Sequence, residues 1–217
     1  KRLNCSRENL LLYAVTDRSW LRGASLAEQV EKTILGGATI IQLREKQLSP
    51  EDFLEEAKVI REICHAHHVP LIINDSVEIA LKAEADGVHL GQGDLDPREA
   101  RKLLGPKAII GVSAHNPDEA RTALAAGADY LGAGAVFPTG TKQDVTALKP
   151  ETLREICQAV SIPVVAIGGI SRQNALSLKG LGVAGLAVVS AIFAQPDIQA
   201  AAAAMKDIAL QVRDGQE

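Results

Sequence analysis

The chain has 217 residues, 47% of them hydrophobic and 23% charged, and carries a formal net charge of −4. That length and apolar content can bury one sizeable core, while the acidic balance and an aromatic content of 3% provide neither a basic footprint nor stacking platforms for nucleic acid. Cys5, Cys64 and Cys157 are odd in number, far apart and without a C-x-x-C pair, which argues against a disulfide framework or a structural zinc site and for a reducing compartment.

No apolar run reaches the length of a membrane span, and Lys1 to Arg7 leads into no secretory signal, so a cytoplasmic protein with no membrane partner is expected. After a polar lead over residues 1–9, Leu10 to Thr16 is an apolar run stopped by Asp17, and Ser25 opens a helical pattern through Leu26, Val30, Ile34 and Leu35 that ends at Gly36-Gly37. Thr39 to Arg44 reads as the second strand. Ser49-Pro50-Glu51 then starts a helix, with proline at its first position and acids in its first turn, running to about His67. The rhythm repeats with strand Leu71 to Asn74 and helix Val77 to Glu84, strand Gly87 to Leu90 and helix Pro97 to Leu104, strand Ala108 to Val112 and helix Pro117 to Ala126. It continues with strand Tyr130 to Ala133 and helix Pro150 to Val160, strand Pro163 to Ile167 and helix Asn174 to Leu181, then strand Gly185 to Val189 and an Ala-rich helix from Ile198 to Val212.

Nearly all-apolar strands, each followed by an amphipathic helix, predict a parallel sheet covered on its faces, and about eight such units close best as a (β/α)8 TIM barrel. A doubly wound open sheet is the runner-up, disfavoured because no G-x-G-x-x-G follows the first strand. Residues 1–217 are read as a single barrel domain.

In such a barrel the reacting groups gather where strands end. Those ends carry Gln42, Arg44 and Lys46; Asn74 and Asp75; His89, Gln92 and Asp94; Ser113 and His115; Thr139, Thr141 and Lys142; Gly168 and Gly169; and Ser190. The stretch Gly132 to Lys142 is rich in small residues and hydroxyls and holds one lysine, the chemistry that surrounds a phosphate. Asp75 and Asp94 among several cations suggest Mg2+ bridging to a substrate diphosphate. Gly168-Gly169 and Val189-Ser190-Ala191 have the form of a phosphate cup. By contrast, Cys64-His65-Ala66-His67-His68 is dense in metal-ligand types but falls near a helix C-terminus, at the end opposite the mouth.

Gln42-Leu43-Arg44-Glu45-Lys46, Ile73-Asn74-Asp75, Gly87 to Gln92 with Asp94, Gly111 to His115, Val136 to Lys142, Ile167 to Ile170 and Val188 to Ile192 together resemble the thiamine-phosphate synthase family, in the family's order over nearly the whole chain. The resemblance implies that 4-amino-2-methyl-5-hydroxymethylpyrimidine diphosphate reacts with 4-methyl-5-(2-phosphoethyl)thiazole, giving thiamine phosphate and diphosphate with Mg2+ as cofactor. It implies that Asp75 and Asp94 hold the metal, and that Arg44, Lys46, Asn74, Ser113 and Lys142 contact the diphosphate, with Lys142, Ser113, Arg44 and Lys46 as the catalytic groups. Gln42 and His89 would lie by the pyrimidine, and Thr139, Thr141, Gly169, Val189 and Ser190 would hold the thiazole phosphate. A dissociative substitution is implied, in which diphosphate leaves before the thiazole nitrogen attacks. Gln143 to Leu148 departs from the family's usual pattern in a loop that closes over substrates. The competing readings are a thiazole tautomerase-like relative, which usually lacks the paired acids and diphosphate-binding cations, and a non-catalytic sensor of phosphorylated ligands.

Overall fold

The computed structural model describes residues 5–139 and 146–215. Eight parallel strands follow one another around a closed barrel: β1 (Leu12–Val15), β2 (Ile40–Leu43), β3 (Leu71–Asn74), β4 (Gly87–Leu90), β5 (Ile109–Ala114), β6 (Tyr130–Ala133), β7 (Val164–Ile167) and β8 (Gly185–Val188). β1 pairs with β2 on one side and β8 on the other. The helices are α1 (Leu26–Gly36), α2 (Pro50–Ala66), α3 (Val77–Lys82), α4 (Pro97–Leu104), α5 (Pro117–Ala125), α6 (Pro150–Ala159), the short α7 (Ser190–Phe193) and α8 (Ile198–Asp214).

The strands are short and doubly buried, so alternation sorts their side chains into two cores. Tyr13, Val15, Ile40, Ile72, Ile109, Tyr130, Val165 and Ala187 fill the barrel interior. Their neighbours, among them Leu12, Ile41, Leu43, Ile73, Leu131 and Val188, point outward against the helices. The interior is not uniformly apolar, because Gln42 and His89 also point into it, both buried.

Local chemistry fixes where the helices begin. Ser25 caps α1 through Glu28 N–H at 3.1 Å, and the Glu28 carboxylate accepts the Ser25 N–H in return at 2.7 Å. Ser49, Ser76, Asp96, Asn116 and Asp197 accept backbone N–H groups at the starts of α2, α3, α4, α5 and α8.

The expected segments and the observed ones differ at identifiable places. Asn174 to Leu181 is not an α-helix but a 3-10 turn over Ala175–Leu178. The Asn174 amide spends both its ends on Ser171 N–H and Gly169 C=O, each at 2.8 Å, and Gly180 and Gly182, at φ 79° and 97°, end the segment. α3 stops at Lys82 rather than Glu84, which takes φ 53°. β1 is confined to Leu12–Val15, and β5 runs on to Ala114, two residues beyond the expected end. Directly after β8 the chain makes the turn of helix α7, which the sequence pattern does not show.

Packing inside the barrel depends on Gly111. A Cβ built there would fall inside the ring of Tyr130, touching Cζ and Oη. Gly111→Ala is therefore expected to destabilise the protein by about 1–3 kcal/mol, the usual cost of overpacking a filled core, measured as a lower urea midpoint. Gly93→Ala, at a position with open space around it, should leave the midpoint unchanged.

Candidate active site

The C-terminal ends of β2 to β5 surround a cavity of about 280 Å³ lined by Arg44, Lys46, Asn74, Asp75, His89, Gly91, Asp94 and Ser113. Seven of these are residues that the sequence singles out; only Gly91 is not. Register explains the convergence, since Asn74 lies opposite His89 and Ser113 opposite Gly132 in neighbouring strands.

Asp75 follows β3 with φ 63°, in the left-handed region that Asp tolerates better than most residues. Its N–H is held by the His89 carbonyl at 2.9 Å, and its carboxylate is paired with the Lys46 ammonium. Asp94 is turned the same way by its loop, its Oδ2 accepting Gly91 N–H at 2.7 Å. The two carboxyl groups are close enough to hydrogen-bond and to titrate together. Desolvation opposes ionisation of Asp75, but the hydrogen bonds from Lys46 and Asp94 outweigh it and hold Asp75 below the usual carboxylate range. Asp94 goes the other way: desolvation, and then the Asp75 charge beside it, raise its carboxyl despite the Gly91 N–H. Among the described residues no group of three or more His, Cys, Asp or Glu side chains could hold a metal.

Three more polar groups point at the cavity. Asn74 Oδ1 is buried with no hydrogen-bond partner, an arrangement that costs free energy unless a ligand completes it. Ser113 Oγ meets His89 Nε2 at 2.9 Å. Burial pushes the His89 imidazole down to about 4 against the pull of the Asp75 charge, so the ring is neutral near pH 7.

Behind Arg44 and Lys46 lies a cluster that sequence reasoning missed. Glu45 turns away from the mouth and is almost wholly buried, with Arg18 Nε donating to both its oxygens at 3.3 Å. The same guanidinium pairs with Glu56 on α2. Glu56 Oε2 is buried and without a partner. Burial first, then the neighbouring Glu45, push the Glu56 carboxyl up to about 7 in spite of Arg18. An Arg in the first strand-to-helix connection and a Glu in the second turn of α2 give no local signal that they meet.

The remaining expected residues fall at the ends of β6, β7 and β8. Gly169, at φ 66°, sits so close to the Phe137–Thr139 segment that a Cβ would meet Pro138 O at 2.7 Å and Phe137 Cβ at 2.9 Å, and Asn174 Nδ2 fixes its carbonyl. Val189 packs on the inner core and Ser190 opens α7. Thr139 is half-buried where the described chain leaves β6. Thr141 and Lys142, with Gly140 and Gln143 to Val145, lie outside the described residues. Gln42 is set lower than a strand-end residue: it is buried and its Nε2 donates into the barrel, to Tyr13 Oη at 2.8 Å. His115 faces its own helix, Nδ1 lying 2.8 Å from Glu119 Oε2. Of the distal histidines, His65 pairs with Asp86 at 2.9 Å and His67 with Glu31 at 3.4 Å.

Residues 12–192 match the family model described as thiamine monophosphate synthase. The chain belongs to that family. It is 48% identical over 196 residues to a thiamine-phosphate synthase of Clostridium botulinum, covering 90% of this chain and 92% of the relative. With a thiamine-phosphate synthase of Clostridium novyi the identity is 50% over 201 residues, covering 92% and 98%. Among solved structures, a thiamine phosphate pyrophosphorylase from Pyrococcus furiosus superposes with a TM-score of 0.87 at 39% identity, over 95% of this chain and 98% of that one. Family, relatives and structural neighbour agree on one transferase activity, thiamine-phosphate synthesis.

The raised Glu56 carboxyl has a measurable consequence. Its folded-state value lies above the usual 4.5, so the stability linked to its proton is complete below about 4.5 and is lost as pH rises through about 7. The charged groups that act on it are Arg18 and Glu45. Glu56→Gln keeps the shape without the titration, and its melting temperature should exceed that of the wild type at pH 8 by about 2–4 °C, the shift that roughly 1 kcal/mol produces in a chain of this size. At pH 5 that advantage should vanish, as read by thermal melts across the range.

Proposed function

We propose that the cavity at the ends of β2 to β5 takes the diphosphate of 4-amino-2-methyl-5-hydroxymethylpyrimidine diphosphate, and that the chain transfers its pyrimidinylmethyl group to 4-methyl-5-(2-phosphoethyl)thiazole. The observation that carries this reading is the Asp75–Asp94 carboxyl pair flanked by Arg44 and Lys46 in one small cavity. A site with two acids, two cations and a neutral histidine suits a departing polyanion once a metal offsets the acids, and its lining contains no activated nucleophile.

A divalent cation fits the residues present. Asp94 is raised by desolvation and then by the Asp75 carboxylate beside it, and a cation between the two would offset both. Asp75 and Asp94 would hold Mg2+, with phosphate oxygens of the substrate completing its shell. Bound there, Mg2+ neutralises charge on the diphosphate. Arg44, Lys46, Asn74 and Ser113 bind and orient that group, Asn74 through its Nδ2–H, since its unpartnered Oδ1 can only accept. Gln42 and His89 form the floor on which the pyrimidine rests. Thr139, Thr141, Gly169, Val189 and Ser190 hold the thiazole phosphate, so that its ring nitrogen faces the methylene carbon. The C–O bond breaks with its electron pair on the diphosphate, and the nitrogen lone pair then forms the new C–N bond. Lys142 meets the charge that gathers on the leaving group.

Further support is indirect. His115, the group a tautomerase-like relative would share, is engaged by Glu119. The reading of the chain as one domain rests on the barrel being closed by its first and last strands. Cys5, Cys64 and Cys157 are free thiols, as a reducing compartment such as the cytoplasm would keep them, and no helix of the described residues is long and apolar enough to cross a membrane.

Diphosphate release from the two substrates tests the assignment directly. Asp75→Ala and Asp94→Ala should each lower Mg2+-dependent turnover by about 100-fold or more, the equivalent of several kcal/mol of charge stabilisation, with unchanged circular dichroism. Wild-type metal dependence in both would remove the pair from the site. Lys142→Ala should lower kcat and kcat/KM together by about 100- to 1000-fold, the usual effect of deleting one donor to a developing oxyanion. A raised KM with unchanged kcat would make Lys142 a docking charge instead.

A further inference from the structure

Below the mouth, five polar side chains form one unbroken line through the barrel interior. Gln42 Nε2 donates to Tyr13 Oη at 2.8 Å, Tyr13 Oη meets Tyr130 Oη at 2.6 Å, Tyr130 Oη meets His89 Nδ1 at 2.9 Å, and His89 Nε2 meets Ser113 Oγ at 2.9 Å. The first four are buried, and the line reaches the cavity at its far end, where His89 and the less buried Ser113 are both lining residues. Packing does not account for the two hydroxyls, because phenylalanine would fill the same space. Yet the chain's only two tyrosines are both placed here.

Each hydroxyl has one proton to give, so the line must run in a single sense. Gln42 sets it. Having accepted the amide proton, Tyr13 Oη has one acceptor left for its own, Tyr130 Oη. Tyr130, now an acceptor from Tyr13, must in turn place its proton on His89 Nδ1. Were Nδ1 also a donor, the Tyr130 proton would be buried with nowhere to go. His89 therefore carries its hydrogen on Nε2 and donates it to Ser113 Oγ. The Ser113 proton is left over, and because Ser113 lines the cavity that proton is free to point into it.

We propose that Tyr13 and Tyr130 are positioning residues: the buried relay from Gln42 through both phenols holds His89 as its Nε2–H tautomer and so presents Ser113 to the substrate as a hydrogen-bond donor. A phosphate oxygen can only accept, so the opposite sense of the line would spend the Ser113 proton on His89 and turn a lone pair toward the anion. The functional half of this inference rests on the reading of Ser113 as a contact of the diphosphate.

Two measurements on the full chain test it. Two-bond 1H–15N correlation on histidine-labelled protein, with His89→Asn to assign the signal, should show His89 as the Nε2–H tautomer in the absence of any ligand. A wild-type Nδ1–H tautomer overturns the proposal whether or not any variant folds. The second measurement is the affinity for inorganic diphosphate with Mg2+, by calorimetry, in Ser113→Ala, Tyr130→Phe and the double variant. Loss of one hydrogen bond to a charged group corresponds to about 10-fold or more in affinity. Each single variant should show that loss, and the double should be no weaker than the weaker single, because Tyr130→Phe already removes the outward Ser113 proton. In Tyr130→Phe the His89 spectrum should also lose its single tautomer. Additive losses, or an unaltered tautomer in Tyr130→Phe, overturn the relay. If Ser113→Ala binds diphosphate as well as the wild type does, the functional half fails through its premise, a result distinguishable because the wild-type tautomer would still be Nε2–H.

Discussion

The closed ladder of backbone hydrogen bonds is the constraint on which everything else in this protein depends. With eight strands parallel and neighbours in sequence also neighbours in space, every strand's C-terminal end opens on the same rim. The pairing register then decides depth as well as direction. Gln42, paired with Ile72, lies a layer below Asn74, which faces His89. A slip of one residue in any strand would turn its cavity groups into the helix layer and its outer leucines and valines into the mouth.

The ladder also dictates how charge is arranged. Arg44 and Lys46 face the cavity, so the residue between them must face the other way, and a carboxylate there has to be met inside the protein. Arg18 meets it, with Glu56 alongside. The loop after β2 is thus balanced on both sides, cations toward the anion site and Glu45 toward a buried counter-ion. A buried charge that lost its partner would cost far more than the pair itself contributes, so the cluster acts on orientation more than on net stability. Asp75 shows the same economy in the backbone. Its left-handed conformation is sustained by the His89 carbonyl and by Lys46, and it delivers a carboxylate from a turn too tight to do so otherwise.

Much of this was legible in the sequence because the signals were local and repeated. Apolar quartets followed by capped amphipathic segments need no tertiary information, and α4 and β6 begin and end at the residues the pattern indicates. The candidate cavity was legible for a related reason: parallel closure makes every strand end a member of one list. What escaped depended on contacts across the fold. The Asn174 segment keeps helix-forming residues, but its own side chain competes for the backbone and two glycines cut it short. Gln42 reads as a mouth residue by position, and only the observed register shows it donating inward. Tyr13 and Tyr130 read as ordinary strand aromatics, since nothing at either position announces a hydroxyl pair between residues so distant in the chain. The Glu56 environment was equally hidden, because a glutamate on a solvated-looking helix face gives no hint of burial against a second acid.

The seam of the barrel carries a consequence for how the molecule is made. Leu12 pairs with Leu186, and α8 lies on α1 so closely that Gly36 has no room for a side chain against Gln199 and Ala202. During synthesis β1 leaves the ribosome long before β8 exists, and until then its outer edge is an open row of amide and carbonyl groups. Closure of the barrel waits on a contact between strands far apart in the sequence, the slow kind to form. A ribosome that stalls before β8 releases a curved, one-sided sheet ready to pair with its own kind, so the interval between the first strand and the eighth is when this chain is most exposed to aggregation and most in need of a chaperone.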